Sequence, residues 1–195
     1  IFSDILFIVI DDEKLSFSHK DYNKGISKKL DLVIGFPVFF KLGAIEFTNS
    51  TFRRVDIDKL PNDNWTNLKI SRFNILIPVT INGIKTEMQI DTGASDTILG
   101  QRFIEKNNEF VKNLTKEKYR AWGVGGVIEN EAFLLQNPKI EIGKNQITLD
   151  KLFIVPSNLK YDKDADGLFG VDIITQYESF TIDLQNLKMR FGNQI

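Results

Sequence analysis

One short stretch of this sequence holds residue types spaced for acid–base chemistry: Met88-Gln89-Ile90-Asp91-Thr92-Gly93-Ala94-Ser95-Asp96-Thr97-Ile98-Leu99. Met88 and Ile90 read as a strand, a tight turn follows, and a second apolar strand leaves at Ile98. The turn carries one acid, Asp91, then a hydroxyl residue and a glycine. Backbone N–H groups in a tight turn hydrogen-bond such a carboxylate and favour its ionised form. A second carboxylate brought alongside makes the pair share a proton. Such a pair activates water as a base while its protonated member donates to a carbonyl. The bland alternative is a turn aspartate bonding its own backbone.

The surroundings of this turn favour the chemical reading. Ile81-Asn82-Gly83-Ile84 lies just upstream, and Asn-Gly is the strongest short hairpin signal. Trp122-Gly123-Val124-Gly125-Gly126-Val127 follows about thirty residues later. Asp166-Gly167-Leu168-Phe169-Gly170-Val171-Asp172-Ile173-Ile174 comes last. In this order, over residues 73 to 191, these segments resemble the retropepsin-like aspartic protease family: active-site loop, glycine-rich flap tip, and the apolar-apolar-Gly segment before a short C-terminal helix.

The resemblance implies an all-β acid-protease barrel lobe with one or two short helices. It makes Asp91 a catalytic carboxylate. It makes Thr92 the source of hydroxyl hydrogen bonds that lock two loops together, and Gly93 the space for the second loop's close approach. Ala94 matches the retroviral version of the motif. Ser95 and Asp96 take positions that touch the substrate. Trp122, Gly123, Val124, Gly125 and Gly126 form a mobile cover that bonds the substrate backbone and excludes water. Trp122 departs from the small residue that the retroviral pattern places there. The plain reading of the glycines is an ordinary hairpin turn. The Leu168-Phe169-Gly170 segment packs beneath the loop, and Asp172 either bonds the loop or caps the helix start.

Composition removes other chemistries. With 25 basic and 26 acidic residues the net charge is −1, which leaves no basic field for nucleic acid. Cysteine is absent, so disulfides, thiol catalysis and Cys-based zinc sites are excluded. No run approaches the ~20 apolar residues that span a bilayer. Ile1 to Ile10, interrupted by Asp4, reads as a buried strand. His19 is the only histidine and cannot make a triad or metal cluster alone. Asp162-Lys163-Asp164-Ala165-Asp166-Gly167 begins like a calcium loop, but its twelfth position is Ile173 where a bidentate Glu is needed, so it reads as a solvated turn. No metal or cofactor is expected. Asn49-Ser50-Thr51, Asn64-Trp65-Thr66 and Asn113-Leu114-Thr115 are formal glycosylation sequons, and the compartment is open.

An internal repeat sets the domain reading. Asp4-Ile5-Leu6-Phe7-Ile8-Val9 matches Asp150-Lys151-Leu152-Phe153-Ile154-Val155 at an offset of 150 − 4 = 146. Asp31-Leu32-Val33-Ile34-Gly35 matches Asp166-Gly167-Leu168-Phe169-Gly170 at 166 − 31 = 135, with the difference falling in the polar stretch from Asp11 to Lys29. Ala44-Ile45-Glu46-Phe47 then matches Ser179-Phe180-Thr181-Ile182. Residues 1–56 therefore read as the second half of a first lobe, 57–72 as a connector, and 73–195 as a complete second lobe. On this reading the front half of the first lobe, with its own catalytic loop, lies upstream of Ile1.

Within the second lobe, Pro78 suggests an edge strand or a strand start. Leu99 to Phe110 reads as helical, and Ile140–Gly143 with Ile147–Leu149 as a hairpin around Lys144-Asn145. Val171 to Tyr177 reads as one helix. The expected activity is hydrolysis of peptide bonds by a water held between Asp91 and a second Asp. That second acid comes from the first-lobe loop or a partner chain, and the polypeptide substrate lies extended beneath the flap. The alternative is an inactive peptide-binding module of the same fold.

Overall fold

A computed structural model describes residues 16–17, 28–29, 36–48, 50–72, 74–123, 126–156 and 164–195. The elements in chain order are β1 (Ser16–Phe17), β2 (Lys28–Lys29), α1 (Phe36–Leu42), β3 (Ala44–Thr48), β4 (Phe52–Arg54), β5 (Trp65–Asn67), β6 (Lys69–Ser71), β7 (Asn74–Ile81) and β8 (Ile84–Ile90). Next come β9 (Ile98–Leu99), α2 (Gln101–Lys106), α3 (Asn108–Val111), β10 (Thr115–Gly123), β11 (Gly126–Gln136), β12 (Lys139–Ile142), β13 (Asn145–Thr148) and β14 (Lys151–Ile154). The last are β15 (Gly167–Phe169), α4 (Val171–Ile174), β16 (Ser179–Asp183) and β17 (Lys188–Phe191). The expected all-β class holds, and its helices are short. The expected strand at Ile1–Ile10, His19 and most of the polar insertion lie outside the described residues.

The larger sheet runs β10-β11-β14-β9-β15-β8-β7-β12-β13, with β6 also on β7. Its strands alternate buried and exposed positions, as in β12, where Ile140 and Ile142 are buried and Lys139 and Glu141 are exposed. Ile77, Met88, Leu99, Leu152, Ile154, Phe169 and Ile173 are almost wholly enclosed. They join Phe180, Met189 and Phe191 of a second, five-stranded sheet in one continuous core. Each such side chain contributes about 1.5–3 kcal/mol by leaving water.

Local chemistry fixes the connections. Ile81 pairs with Ile84, and Asn82 and Gly83 between them take φ of +47° and +82°, the two positive values a tight hairpin turn requires. Pro78 stands in an interior strand rather than at an edge. β6 pairs β7 at 74–76 and β12 pairs it at 80–81, so the proline falls in the gap between them, where its missing N–H costs no ladder bond. The β12–β13 turn is Gly143-Lys144, one residue earlier than expected, because Gly143 supplies the positive φ. The helical stretch breaks at Asn107 into α2 and α3, and α4 stops at Ile174. The 57–72 stretch is not bare linker: β5 joins the five-stranded sheet and β6 the larger one.

The smaller sheet has the order β4-β3-β16-β17-β5. At its centre β3 and β16 run antiparallel, with Ala44 opposite Asp183, Glu46 opposite Thr181 and Thr48 opposite Ser179. The repeat offset of 135 makes Glu46 and Thr181 equivalents, and they face each other. The register is therefore symmetric about that pair. α1 and α4 also begin at equivalent positions, Phe36 and Val171.

The acid-rich turn before β15 is not solvated at Asp166, which is 2% exposed. Its carboxylate takes Lys106 Nζ at 2.7 Å and the Glu87 N–H at 2.9 Å, with Arg102 Nε at 3.6 Å. Its own N–H donates to the Glu87 carbonyl, and its carbonyl accepts from Gly100. Asp166 thus pins the start of β15 to β8, β9 and α2 together. Replacing it with Ala strips the Glu87 N–H of its acceptor and leaves two cations unpaired. Because Lys106 still reaches solvent, a loss of about 2 kcal/mol is expected. A urea midpoint lowered at unchanged m-value checks this.

Candidate active-site loop

The chain from β8 to β9 turns through Asp91 without pairing those two strands to each other. β15 lies between them. It runs parallel to β8, with Phe169 opposite Ile90, and antiparallel to β9, with Gly167 opposite Leu99. The wedge must be slim. A Cβ on Gly167 would strike the Ile98 carbonyl, and one on Gly170 would lie 2.7–2.9 Å from the Asp96 and Thr97 backbone. Phe169 fills the core beneath, and its carbonyl accepts the Asp91 N–H at 3.0 Å.

Asp91 is half-buried, and Thr92 and Gly93 beside it are exposed. The Gly93 N–H donates to Asp91 Oδ1 at 2.9 Å, and the Ala94 N–H to the Asp91 carbonyl at 3.1 Å. The bland reading, a turn aspartate bonding its own backbone, is realised: one carboxylate oxygen is held by its own loop. Oδ2 has no hydrogen bond among the described residues. Thr92 stands between two apolar hollows, one with Phe39, Ile75 and Ile90, the other with Val171, Ile174 and Phe180. Phe47 borders both.

The far end of the loop is tied down by Thr97 and Asp172. Buried Thr97 donates its hydroxyl to Asp172 Oδ1 at 2.6 Å and its N–H to Oδ2 at 2.9 Å, while its oxygen accepts the Gly170 N–H at 3.0 Å. Oδ1 of Asp172 also accepts the Ile173 N–H at 2.9 Å. Of the two sequence options for Asp172, the loop bond is the one realised: the N-cap of α4 is Gly170, and Asp172 sits inside the first turn, where it also holds the Ile173 N–H. The Ala94 carbonyl adds a bond from the Val171 N–H at 2.9 Å. Thr97 was not singled out from sequence, since a threonine six residues past the acid carries no signal until β15 is placed.

Ser95 and Asp96 are exposed, with the Ser95 hydroxyl 3.4 Å from Asp96 Oδ2. Asp96 shares a cleft with Lys118, Arg120, Lys151, Phe153 and Asp172. Its basic wall was invisible in the sequence, because it joins alternate residues of β10 to one on β14. β10 and β11 pair as a long hairpin up to Gly123 opposite Gly126, and β14 joins it to β9. Val124 and Gly125 lie outside the described residues, as do the side chains of Trp122 and its neighbours on the hairpin. Among the described residues no group of three or more potential metal ligands occurs, and no helix is long and apolar enough to cross a membrane.

With this geometry in view, comparison with known proteins gives the class. The model of the gag-polyprotein putative aspartyl protease family matches residues 77–176, from β7 through the Asp91 turn and the hairpin to the end of α4. The chain belongs to that family. Among solved structures it is similar to a retropepsin-like aspartic protease from Rickettsia conorii, at 22% identity and a TM-score of 0.46, covering 66% of this chain and 89% of that one. No curated protein matches.

The Asp172 carboxyl titrates in a way the fold can report. Burial pushes it above its ordinary 3.8, the hydrogen bonds from Thr97 and Ile173 pull the other way, and nearby Asp96 adds to the rise. A carboxyl raised on folding binds its proton more tightly in the folded chain. Its contribution is therefore full below the unfolded value and is lost as pH climbs through the folded one. Asp172→Asn keeps an acceptor for Thr97 but cannot titrate. Urea unfolding across this range should show stability falling with pH less steeply in the variant than in the parent. Equal slopes would place the effect elsewhere.

Proposed function

We propose that this chain carries one half of the active centre of an aspartic endopeptidase, with Asp91 as its carboxylate. The observation supporting this most directly is how Asp91 is held. Its N–H is fixed to Phe169, one carboxylate oxygen is fixed by Gly93, and the other oxygen is left without a partner among the described residues. A second carboxylate would meet that oxygen, and the pair would share a proton. Water held between them would lose a proton to the ionised member while the protonated member donates to the substrate carbonyl. No metal and no covalent intermediate enter this scheme.

The chain contains a single Asp-Thr-Gly and no Asp-Ser-Gly. The second acid therefore comes from a first-lobe loop or a partner chain. The symmetric β3–β16 register supports the two-lobe reading, with 1–56 as the rear half of one lobe and 73–195 as the whole of the other. On this reading Thr92 faces the partner loop, and the apolar hollows beside it receive that loop's surroundings. Ser95, Asp96 and Trp122 to Gly126 line the path of an extended peptide, bound by strand-like hydrogen bonds.

A mixed peptide pool incubated across about pH 3–7 tests this, with the chain supplied both alone and joined to a lobe carrying a second Asp loop. Cleavage is expected only in the joined form, with a bell-shaped pH profile that belongs to the carboxylate pair. Asp91→Asn should reduce it by on the order of 10²–10⁴-fold at unchanged stability. Cleavage unaffected by that change removes Asp91 from the mechanism. Binding of the same peptides without cleavage in the joined form would point to the interaction module.

A further inference from the structure

The cleft beside Asp96 encloses about 230 Å³, room for one side chain of a bound peptide. Its lining residues belong to the Asp91 loop, the β10–β11 hairpin, β14 and α4. Its floor is aromatic, with the Tyr119 and Phe153 ring centroids 5.0 Å apart. Because Tyr119 faces that floor, alternation turns the side chains of its neighbours Lys118 and Arg120 to the opposite face of β10. Lys118 there meets Glu129 at 3.7 Å. Of the basic residues around the cleft, Lys151 alone shares the face of Phe153, with its Nζ 5.3 Å from the ring centroid. β14 and β9 pair in parallel with Phe153 beside Ile98, so two residues earlier Lys151 stands beside Asp96. Among the described residues neither of these two forms an ion pair.

The two acids of the cleft differ in what they have left to offer. Asp172 already holds donors from Thr97 and Ile173 on both oxygens. Asp96 is touched only by the Ser95 hydroxyl at 3.4 Å, so its carboxylate can accept a further N–H. The rim of the cleft is open as well. The Asn137 N–H bonds the Asp150 carbonyl, which points the backbone bonds of odd-numbered β11 residues toward β14 and those of even-numbered ones toward β10. Tyr119 lies opposite Asn130, so odd-numbered residues of β10 bond β11, and the N–H and C=O of Lys118 turn outward. β10 is the edge of its sheet. An extended peptide laid between that edge and Asp96 finds hydrogen-bonding groups on both sides.

We propose that this cleft selects an acidic side chain of the substrate, and that Lys151 is the residue that reads it. This rests on the endopeptidase reading and adds a substrate class to it: peptides carrying Asp or Glu at one position away from the scissile bond. In the bound peptide a backbone N–H meets Asp96, and the carboxylate of the same residue reaches Lys151 across the cleft. The Phe153 ring already seats the ammonium, so less side-chain freedom is lost when the carboxylate arrives. A basic side chain is the poorer occupant, because it sets its charge against Lys151 on the same wall.

NMR titration of the 195-residue chain tests this without reference to catalysis, using blocked alanine pentapeptides with Glu, Gln or Lys at the centre. The Glu peptide should bind about three- to fivefold more tightly than the Gln peptide, the size expected of an exposed ion pair, and the Lys peptide more weakly than either. The Glu advantage should shrink in about 0.5 M salt. Lys151→Gln should bring the Glu-to-Gln ratio to about one, and Lys151→Glu should turn the preference toward the Lys peptide. Lys116→Gln is the matched control: that lysine lies 5.5 Å over the Phe133 ring on the other face of the hairpin, and its loss should leave the ratio intact. Equal binding of the Glu and Gln peptides overturns the proposal, as does a Glu advantage that survives Lys151→Gln, or no binding of any peptide at millimolar concentration. A parent chain that prefers the Lys peptide also overturns it, and gives the cleft to Asp96. No part of the titration needs a second catalytic acid. Absence of cleavage in the assay above would therefore leave a Glu preference standing, so the two readings fail separately.

Discussion

The structure depends on a shared strand. β8 and β9 flank the Asp91 turn but do not meet, because β15 takes the hydrogen bonds of both. A turn between two directly paired strands would be an ordinary hairpin, free to slide by two residues at modest cost. A turn whose legs grip opposite edges of a third strand cannot slide, since moving either leg breaks a different ladder. Asp166 locks one end of the shared strand, and Phe169 delivers its carbonyl to Asp91 at the other. The two glycines flanking Leu168-Phe169 follow from the same constraint, because three backbones converge where no Cβ fits.

This constraint explains what could be read beforehand. The Asn82-Gly83 turn was legible because its φ values are local demands that only a few residues meet. Strand identity in β12 was legible because alternation survives in any half-buried sheet. Of the repeat, only the match of Ala44–Phe47 to Ser179–Ile182 falls on described strands, and the β3–β16 register adds a symmetry that no sequence offset states. What escaped was long-range. Pro78 looked like an edge marker because its strand changes partner at that residue, from β6 to β12. Asp166 looked solvated because its cations come from Arg102 and Lys106, some sixty residues away. The basic wall facing Asp96 joins two strands that β11 separates.

The five-stranded sheet extends the same reasoning to assembly. A register centred on Glu46 and Thr181 sets β3 and β16 side by side in one core, each offering the other the same edge. Phe191, Phe180, Phe47 and Phe52, successive cross-strand partners, make a continuous aromatic row from Phe191 outward. Symmetry also explains why the hollows beside Thr92 resemble each other: Phe39 borders one, and its equivalent, Ile174, borders the other.

The acids of this fold divide by how many donors they hold. Asp166 gathers a backbone N–H and two cationic side chains. Asp172 gathers a hydroxyl and two backbone N–H groups. Asp183, as enclosed as Asp166, takes the N–H groups of Gln185 and Asn186 and the Asn186 amide, which close the β16–β17 turn. Each is engaged on both oxygens by three donors, which leaves little acceptor capacity for a substrate. Asp91 accepts only from Gly93 on its side chain, yet its backbone is fixed as firmly as theirs. A carboxylate that the fold positions but does not satisfy is suited to exchange a proton with a partner, and that imbalance is the physical basis of the proposal that the chemistry sits at Asp91.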